Sequence, residues 1–287
     1  MKIAITGSTG QLGQLVIEQL LKSVPANQLI AIARNPAKAC KLAARGINVR
    51  QANYDDPVAL HNALEGVERL LLIASNELGR RITQHANVIN SAKKQGIRLL
   101  AYTSLLHADT SPLSLAVEYA RTESDLKASG IPFVILRNGW YTENHMAGVP
   151  AAAATGMLYG CAGNGRIASA PRIDLAEAAA KVLASGGPAG QTLELAGDTA
   201  HTLAELAAEI ARQCGRDVVY KNLPEPEYRE ILMAAGFPEP IASGFANWDT
   251  EASRGALFDD GHQLSKWIGR PTTPLSEIVR QTLAQAR

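Results

Sequence analysis

The apolar run Lys2-Ile3-Ala4-Ile5-Thr6 closes on Gly7, glycines recur at Gly10 and Gly13, and an amphipathic pattern begins at once. The order is strand, tight turn, helix. Gly7 is free to take the positive φ of a sharp turn, Gly10 lets backbone approach a pyrophosphate, and Gly13 allows a close helix–strand contact. The unpaired N–H groups and positive dipole of the helix start favour an anion there. Glycines at this spacing are common in turns. Their place between a buried strand and a helix is what points to a dinucleotide, held by Gly7, Ser8, Thr9, Gly10, Gln11 and Leu12.

The periodicity downstream repeats that unit. Helix is expected over 11–22, strand over 28–33, helix over 38–45 and strand over 47–51. A short helix from Pro57, a strand at 69–73 and a long helix at 81–94 follow, then a strand at 99–103, a helix at 114–128 and a strand at 133–137. Continuous apolar strands separated by helix-length connections predict an α/β fold, a Rossmann-type doubly wound parallel sheet, with ligand beyond the carboxyl ends of the strands. Past Arg137 the pattern loosens into short helices and strands, a capping box at Thr202–Glu205, a proline-rich stretch and a last helix from Pro274 toward Arg287. The expected division is a dinucleotide-binding domain over 1–145 and a smaller α/β substrate lobe over 146–287, partly interleaved with the first.

Composition narrows the function classes. Twenty-eight basic against 27 acidic side chains leave a net charge of +1, which offers nothing to nucleic acid or an anionic membrane. No apolar run reaches the roughly 20 residues that span a bilayer. Cys40, Cys161 and Cys214 lie far apart without CxxC or zinc spacing, and the histidines form no ligand pair, so no metal is implied. With a strand already at Lys2, no room is left for a signal peptide, and a reducing cytoplasm is the expected compartment. A homodimer is compatible with the sequence, which does not fix the oligomeric state.

An acid that holds the ribose of NAD belongs at the end of the second strand, about 20 residues past the glycines. That strand ends instead in Ala33-Arg34, and no Asp or Glu occurs from Gln19 to Tyr54. A guanidinium there suits the 2′-phosphate of NADPH. Asp55 is either an acceptor for the adenine amino group or the N-cap of the Pro57 helix. The loop Ser75, Asn76, Glu77, Leu78 follows the fourth strand and is expected on the ribose and nicotinamide side.

Short-chain reductases place Tyr-x-x-x-Lys on the helix after the fifth strand, where tyrosine donates a proton and lysine lowers its pKa. Here Tyr119 is followed four residues later by Glu123, and aligning that glutamate puts Leu115 at the tyrosine position and Tyr119 at the lysine position. No catalytic pair is identified. Reducing a carbonyl to an alcohol needs a proton donor at oxygen, whereas a quinone or cationic dye accepts hydride directly. Ser104, His107 and Asp109 share one loop without a Gly-x-Ser-x-Gly elbow, which argues against a hydrolase triad; Ser104 could contact a ligand from the strand end. Asn138, Gly139, Trp140, Tyr141, Thr142, Glu143, Asn144 and His145 follow the sixth strand. Trp140 and Tyr141 suit stacking on a flat substrate or packing at a hinge, and Asn144 and His145 could bond a quinone oxygen.

Gly-Ser-Thr-Gly-Gln-Leu-Gly at 7–13, Arg34-Asn35-Pro36, Tyr102-Thr103-Ser104 and the run from Leu136 to Asn144 together resemble the NmrA-like atypical short-chain dehydrogenase family. The likeness runs essentially the full length and is strongest to its quinone reductases, with triphenylmethane dye reductases also similar. It implies NADPH-dependent reduction of a small-molecule quinone by direct hydride transfer, without flavin or metal. Cofactor contacts then fall on Gly7 to Leu12, Arg34, Ser75 to Leu78 and Asn138 to Glu143. The family also includes members that bind NADP without turnover as redox sensors, which is the competing expectation. The resemblance leads one to expect histidine at position 119, so Tyr119 is a departure that bears on substrate preference if its helix lines the pocket.

Overall fold

The computed structural model describes residues 1–286. It opens with β1 (Ile3–Ile5), the glycine turn and α1 (Gln11–Leu20). Next come β2 (Leu29–Ala33), a 3₁₀ turn at Pro36–Ala39 and α2 (Cys40–Ala43). The helix expected over 38–45 is thus tightened into two short pieces, because the Asn35 side chain caps the Ala37 N–H and Pro36 fixes the first turn. The alternation continues through β3 (Asn48–Gln51), α3 (Pro57–Ala63), β4 (Arg69–Leu72), α4 (Arg81–Lys94), β5 (Leu99–Leu105), α5 (Ala116–Ala128) and β6 (Phe133–Asn138). Beyond lie α6 (Glu143–Met146), α7 (Val149–Thr155), β7 (Met157–Gly160), α8 (Arg172–Ser185), β8 (Gln191–Leu195) and α9 (Leu203–Cys214). The chain finishes with β9 (Val219–Asn222), α10 (Glu225–Ala234), α11 (Glu239–Ser253), α12 (Gln263–Ile268) and α13 (Leu275–Gln285). Arg287, to which the last helix was expected to reach, lies outside the described residues.

The chain forms two compact units. The first holds residues 1–109, 115–138 and 172–195. Its sheet has seven strands in the order β3-β2-β1-β4-β5-β6-β8, every neighbouring pair parallel. The chain runs from β1 outward to β3 and then returns to the other side of β1 with β4, so the strand order reverses there. The seventh strand is the one the periodicity did not place in this sheet. β8 pairs with β6 from Val134↔Gln191 to Asn138↔Leu195, and α8 packs on α1. Residues 172–195 therefore group with the first unit.

β1 and β2 are buried along their whole length, as strands covered on both faces must be. Leu60, Val88, Ile89 and Leu126 of α3, α4 and α5 close one face over Ala4, Ile30, Leu70 and Tyr102. Tyr119 packs against this same cluster.

The second unit comprises 110–114, 139–171 and the chain from 196 onward. Two strands, β7 and β9, pair in parallel from Met157↔Val219 to Gly160↔Asn222. The capping box opening α9 forms: Thr202 Oγ1 accepts from the Glu205 N–H, and Glu205 accepts from the Thr202 N–H. Leu203, Leu206 and Ile210 face inward from that helix. A chain of edge-on aromatic contacts links Phe237, Phe245, Trp248 and Trp140, and holds the segment after β6 onto α11.

Candidate functional site

Gly7 adopts φ +59°, the left-handed turn that releases the chain from β1. Its carbonyl accepts the Gly10 N–H at 2.9 Å, and a Cβ on Gly13 would lie only 2.4 Å from that carbonyl oxygen. No side chain larger than hydrogen fits at 13 without lifting α1 off the strand. A Cβ on Gly10 would stand 3.2 Å from the same oxygen. Ser8 Oγ donates to the Ile32 carbonyl at 2.9 Å, and Thr6 Oγ1 donates to the Leu71 carbonyl at 3.0 Å, so the turn is tied to both strands that flank β1. No side chain caps α1 and its first turn carries no acid. The exposed helix start is therefore left to attract an anion. These features fit a dinucleotide pyrophosphate.

Arg34 leaves the carboxyl end of β2 with its side chain 62% exposed, and its Nη1 donates to Glu77 Oε1 at 2.6 Å. Asp55 is not the cap of α3. Asp56 is, accepting from the N–H groups of Val58 and Ala59, because the helix begins at Pro57 and a cap sits immediately before it. Asp55 instead accepts from Arg80 Nη2 at 2.9 Å.

The peptide of Ser75 is fixed from both sides. Its N–H donates to His85 Nε2 at 2.9 Å, and its carbonyl accepts from Arg81 Nε at 2.5 Å. The Thr122 hydroxyl donates to the Glu118 carbonyl, so at its 2.9 Å contact with His85 Nδ1 the imidazole must be the donor. His85 is thus the neutral tautomer protonated on Nδ1. Burial first, then the Arg81 charge, push its pKa down to about 3. Arg81 and His85, one turn apart on α4, were not singled out from the sequence. Their i, i+4 spacing was visible, but their target lies in the preceding loop.

At the carboxyl ends of β5 and β6 the polar groups close on one another. Arg137 donates twice to Glu123, at 2.8 and 2.7 Å, and also to Asp109 at 2.9 Å and Glu194 at 2.8 Å. The three carboxylates hold its pKa above the usual arginine value against the cost of burial. Ser104 Oγ donates to Glu123 Oε1 at 2.6 Å. The His107 N–H donates to Glu194 Oε2 at 3.0 Å. Ser104, His107 and Asp109 are thus each drawn to a different partner. Tyr119 lies under the Arg81 guanidinium, 4.9 Å from its ring centre, and beside Tyr102. The departure from the expected histidine therefore falls on a partly buried side chain packed against the core of the first unit.

Residues 139–145 belong to the second unit. The Thr142 N–H donates to the Ala170 carbonyl at 3.1 Å, the Ala170 N–H returns to Trp140 at 2.9 Å, and Thr142 and Ser169 hydroxyls meet at 2.9 Å. His145 Nε2 lies 3.9 Å from Asp249 Oδ1, and its ring stands edge-on to His201 at 6.4 Å. Among the described residues the buried Trp140 Nε1, His145 Nδ1 and His201 Nε2 have no hydrogen-bond partner. Asn138, the last residue of β6, is buried in the first unit. Among the described residues no group of three or more His, Cys, Asp or Glu side chains is placed to hold a metal ion, and no helix is long and apolar enough to cross a membrane.

A parallel sheet with a reversing strand order, and a glycine turn of this geometry at the reversal, define a dinucleotide-binding α/β protein. Residues 7–186 match the NAD(P)H-binding family model. The chain is 57% identical to quinone oxidoreductase 2 of Escherichia coli over 277 residues, 96% of this chain and 97% of that protein. The crystal structure of the Escherichia coli NADPH-dependent quinone oxidoreductase in complex with NADPH superposes with a TM-score of 0.95 at 56% identity, covering 97% of this chain and 99% of that one. Triphenylmethane reductase of Citrobacter sp. complexed with NADP(H) gives a TM-score of 0.94 at 38% identity, covering 100% of both chains. The chain belongs to the NAD(P)H-binding, NmrA-like family of oxidoreductases.

Proposed function

We propose that this protein is an NADPH-dependent quinone reductase. One observation carries the reading beyond kinship. The groups with which short-chain reductases protonate a carbonyl oxygen are missing or engaged elsewhere here: Leu115 stands at the tyrosine position, Ser104 is bonded to Glu123, and Tyr119, at the lysine position, packs against the core cluster beneath Arg81. An acceptor that takes hydride without a positioned protein acid suits such a site, and a quinone is that acceptor.

NADPH, when bound, supplies the hydride. Gly7 to Leu12 hold the pyrophosphate, Arg34 meets the 2′-phosphate, and the loop from Ser75 to Leu78, its first peptide locked by His85 and Arg81, presents its backbone to the ribose. Asn138 to Glu143 complete the cofactor contacts. Tyr141, Asn144 and His145 meet the acceptor, with Ser104 reserved by Glu123. Three unpaired thiols suit a cytoplasmic setting, and a homodimer is the assembly to look for by sedimentation.

The test is to mix purified protein with NADPH and a benzoquinone and follow loss of nicotinamide absorbance. Stimulated oxidation is expected. Tight NADP binding with no oxidation by any quinone or triphenylmethane dye would sink the enzyme reading and leave a nucleotide-binding sensor. Oxidation by dyes alone would reassign the acceptor.

A further inference from the structure

Glu77 uses both carboxylate oxygens on guanidinium groups: Oε1 accepts from Arg34 at 2.6 Å and Oε2 from Arg80 at 3.3 Å. Arg80 reaches Asp55 with its other terminal nitrogen at 2.9 Å. From α4, the buried Gln84 donates its amide to Glu77 Oε2 at 3.0 Å and to Asp55 Oδ2 at 3.2 Å, fixing both acids. Arg34 follows β2, Asp55 follows β3, and Glu77 follows β4, with Arg80 closing the same loop before α4. In the sheet β2 and β4 lie on either side of β1. The Arg34–Glu77 pair therefore joins the two loops that flank the glycine turn.

We propose that Arg80 is a second 2′-phosphate ligand, and that Glu77 is a resident anion competing with that phosphate for the two guanidiniums. This rests on the reading of Arg34 as the group that selects NADPH. A carboxylate bridging two arginines satisfies donors that a phosphate, with three terminal oxygens and nearly two negative charges, satisfies better. When the phosphate takes Arg34 and Arg80, Glu77 is left beside a like charge, retaining its bond from Gln84. NADH offers a ribose hydroxyl at the same place and cannot displace Glu77. Discrimination between the two cofactors is thus set by two arginines working against one acid, rather than by Arg34 alone. The groups are partly exposed, so the pairs themselves contribute little to folding, and substitution should leave the fold intact.

The experiment measures dissociation constants for NADPH, NADH and adenosine 2′,5′-bisphosphate by calorimetry, with thermal melting as a check on folding. Arg80→Ala is expected to weaken NADPH and the bisphosphate about tenfold and NADH less than about twofold. Glu77→Gln is expected to tighten NADPH and the bisphosphate several-fold and leave NADH unchanged. If Arg34→Ala abolishes the preference for NADPH while Arg80→Ala does not change it, the inference falls and the reading of Arg34 stands. An equal loss of NADPH and NADH in Arg80→Ala, or weaker NADPH binding in Glu77→Gln, also overturns it. If Arg34→Ala itself leaves the preference unchanged, the reading of Arg34 is wrong and the two-arginine site falls with it.

Discussion

The polar cluster at the carboxyl ends of β5 and β6 and the one on the 140–145 segment are built on opposite terms. In the first, Arg137 meets Glu123, Asp109 and Glu194, and Ser104 adds its hydroxyl to Glu123. In the second, Trp140 Nε1, His145 Nδ1 and His201 Nε2 are buried without partners among the described residues. A buried polar group left unpaired costs free energy that a paired one does not. The first cluster locks a scaffold. The second keeps unspent hydrogen-bonding capacity in the unit to which acceptor binding is assigned, and such strain is tolerated where it serves a ligand.

The sharpest way to break that contrast is Arg137→Ala. Glu123, 2% exposed, would lose its bidentate partner and keep the Ser104 hydroxyl and the half-exposed Lys127 ammonium at 3.6 Å, and breaking a buried pair in this way costs about 3–5 kcal/mol. Urea unfolding should show a loss of that order, much of it restored by adding Glu123→Gln. An equal loss in the double variant would mean that packing, rather than charge, makes the cluster rigid.

Gly13→Ala comes next, at about 1–3 kcal/mol for a methyl group forced to within 2.4 Å of the Gly7 carbonyl. Its signature is weaker NADPH binding, measured by nicotinamide fluorescence. His145→Ala is the matched test in the second unit. It should lower kcat/KM for the quinone about tenfold, or about 1.4 kcal/mol, with the NADPH dissociation constant unmoved. Were His145→Ala to weaken NADPH instead, the placing of His145 at the acceptor would fail.

These two clusters also mark how far the sequence could be read. The glycine turn was legible because strand, turn and helix are contiguous and the demands on Gly7, Gly10 and Gly13 are local. Arg34 was legible by position, but its partner Glu77 lies 43 residues on and follows a different strand. Arg137, Glu123 and Glu194 come from β6, α5 and β8, and nothing short of the strand order brings them together. β8 itself was not assigned to the sheet, since residues 139–171 of the second unit interrupt the path from β6. Asp55 and Asp56 compete for one cap, and the choice turns on a single residue of helix start. Tyr119 was legible as a missing lysine, but its packing against the core depends on Arg81 and Tyr102.

The smallest effect compares two histidines, one in each unit. Burial first, and then Arg81 for His85 or His145 and Arg166 for His201, press both pKa values down to about 3. In the unfolded chain a histidine titrates near about 6.5. Between those values the unfolded chain binds a proton that the folded one refuses, so their contribution to stability is full above about pH 6.5 and is lost as pH falls toward 3. Replacing either by leucine should remove one proton from that acid limb. The two differ at pH 7. His85→Leu strands the Ser75 N–H and should cost about 1 kcal/mol or more. His201→Leu removes a buried nitrogen that already lacks a partner, and should change stability by less than about 1 kcal/mol. Urea midpoints at pH 7 and pH 5 measure both quantities. A large loss at pH 7 in His201→Leu would show that its ring is bonded in solution, and the contrast between the closed and the open cluster would then narrow to Trp140 and His145.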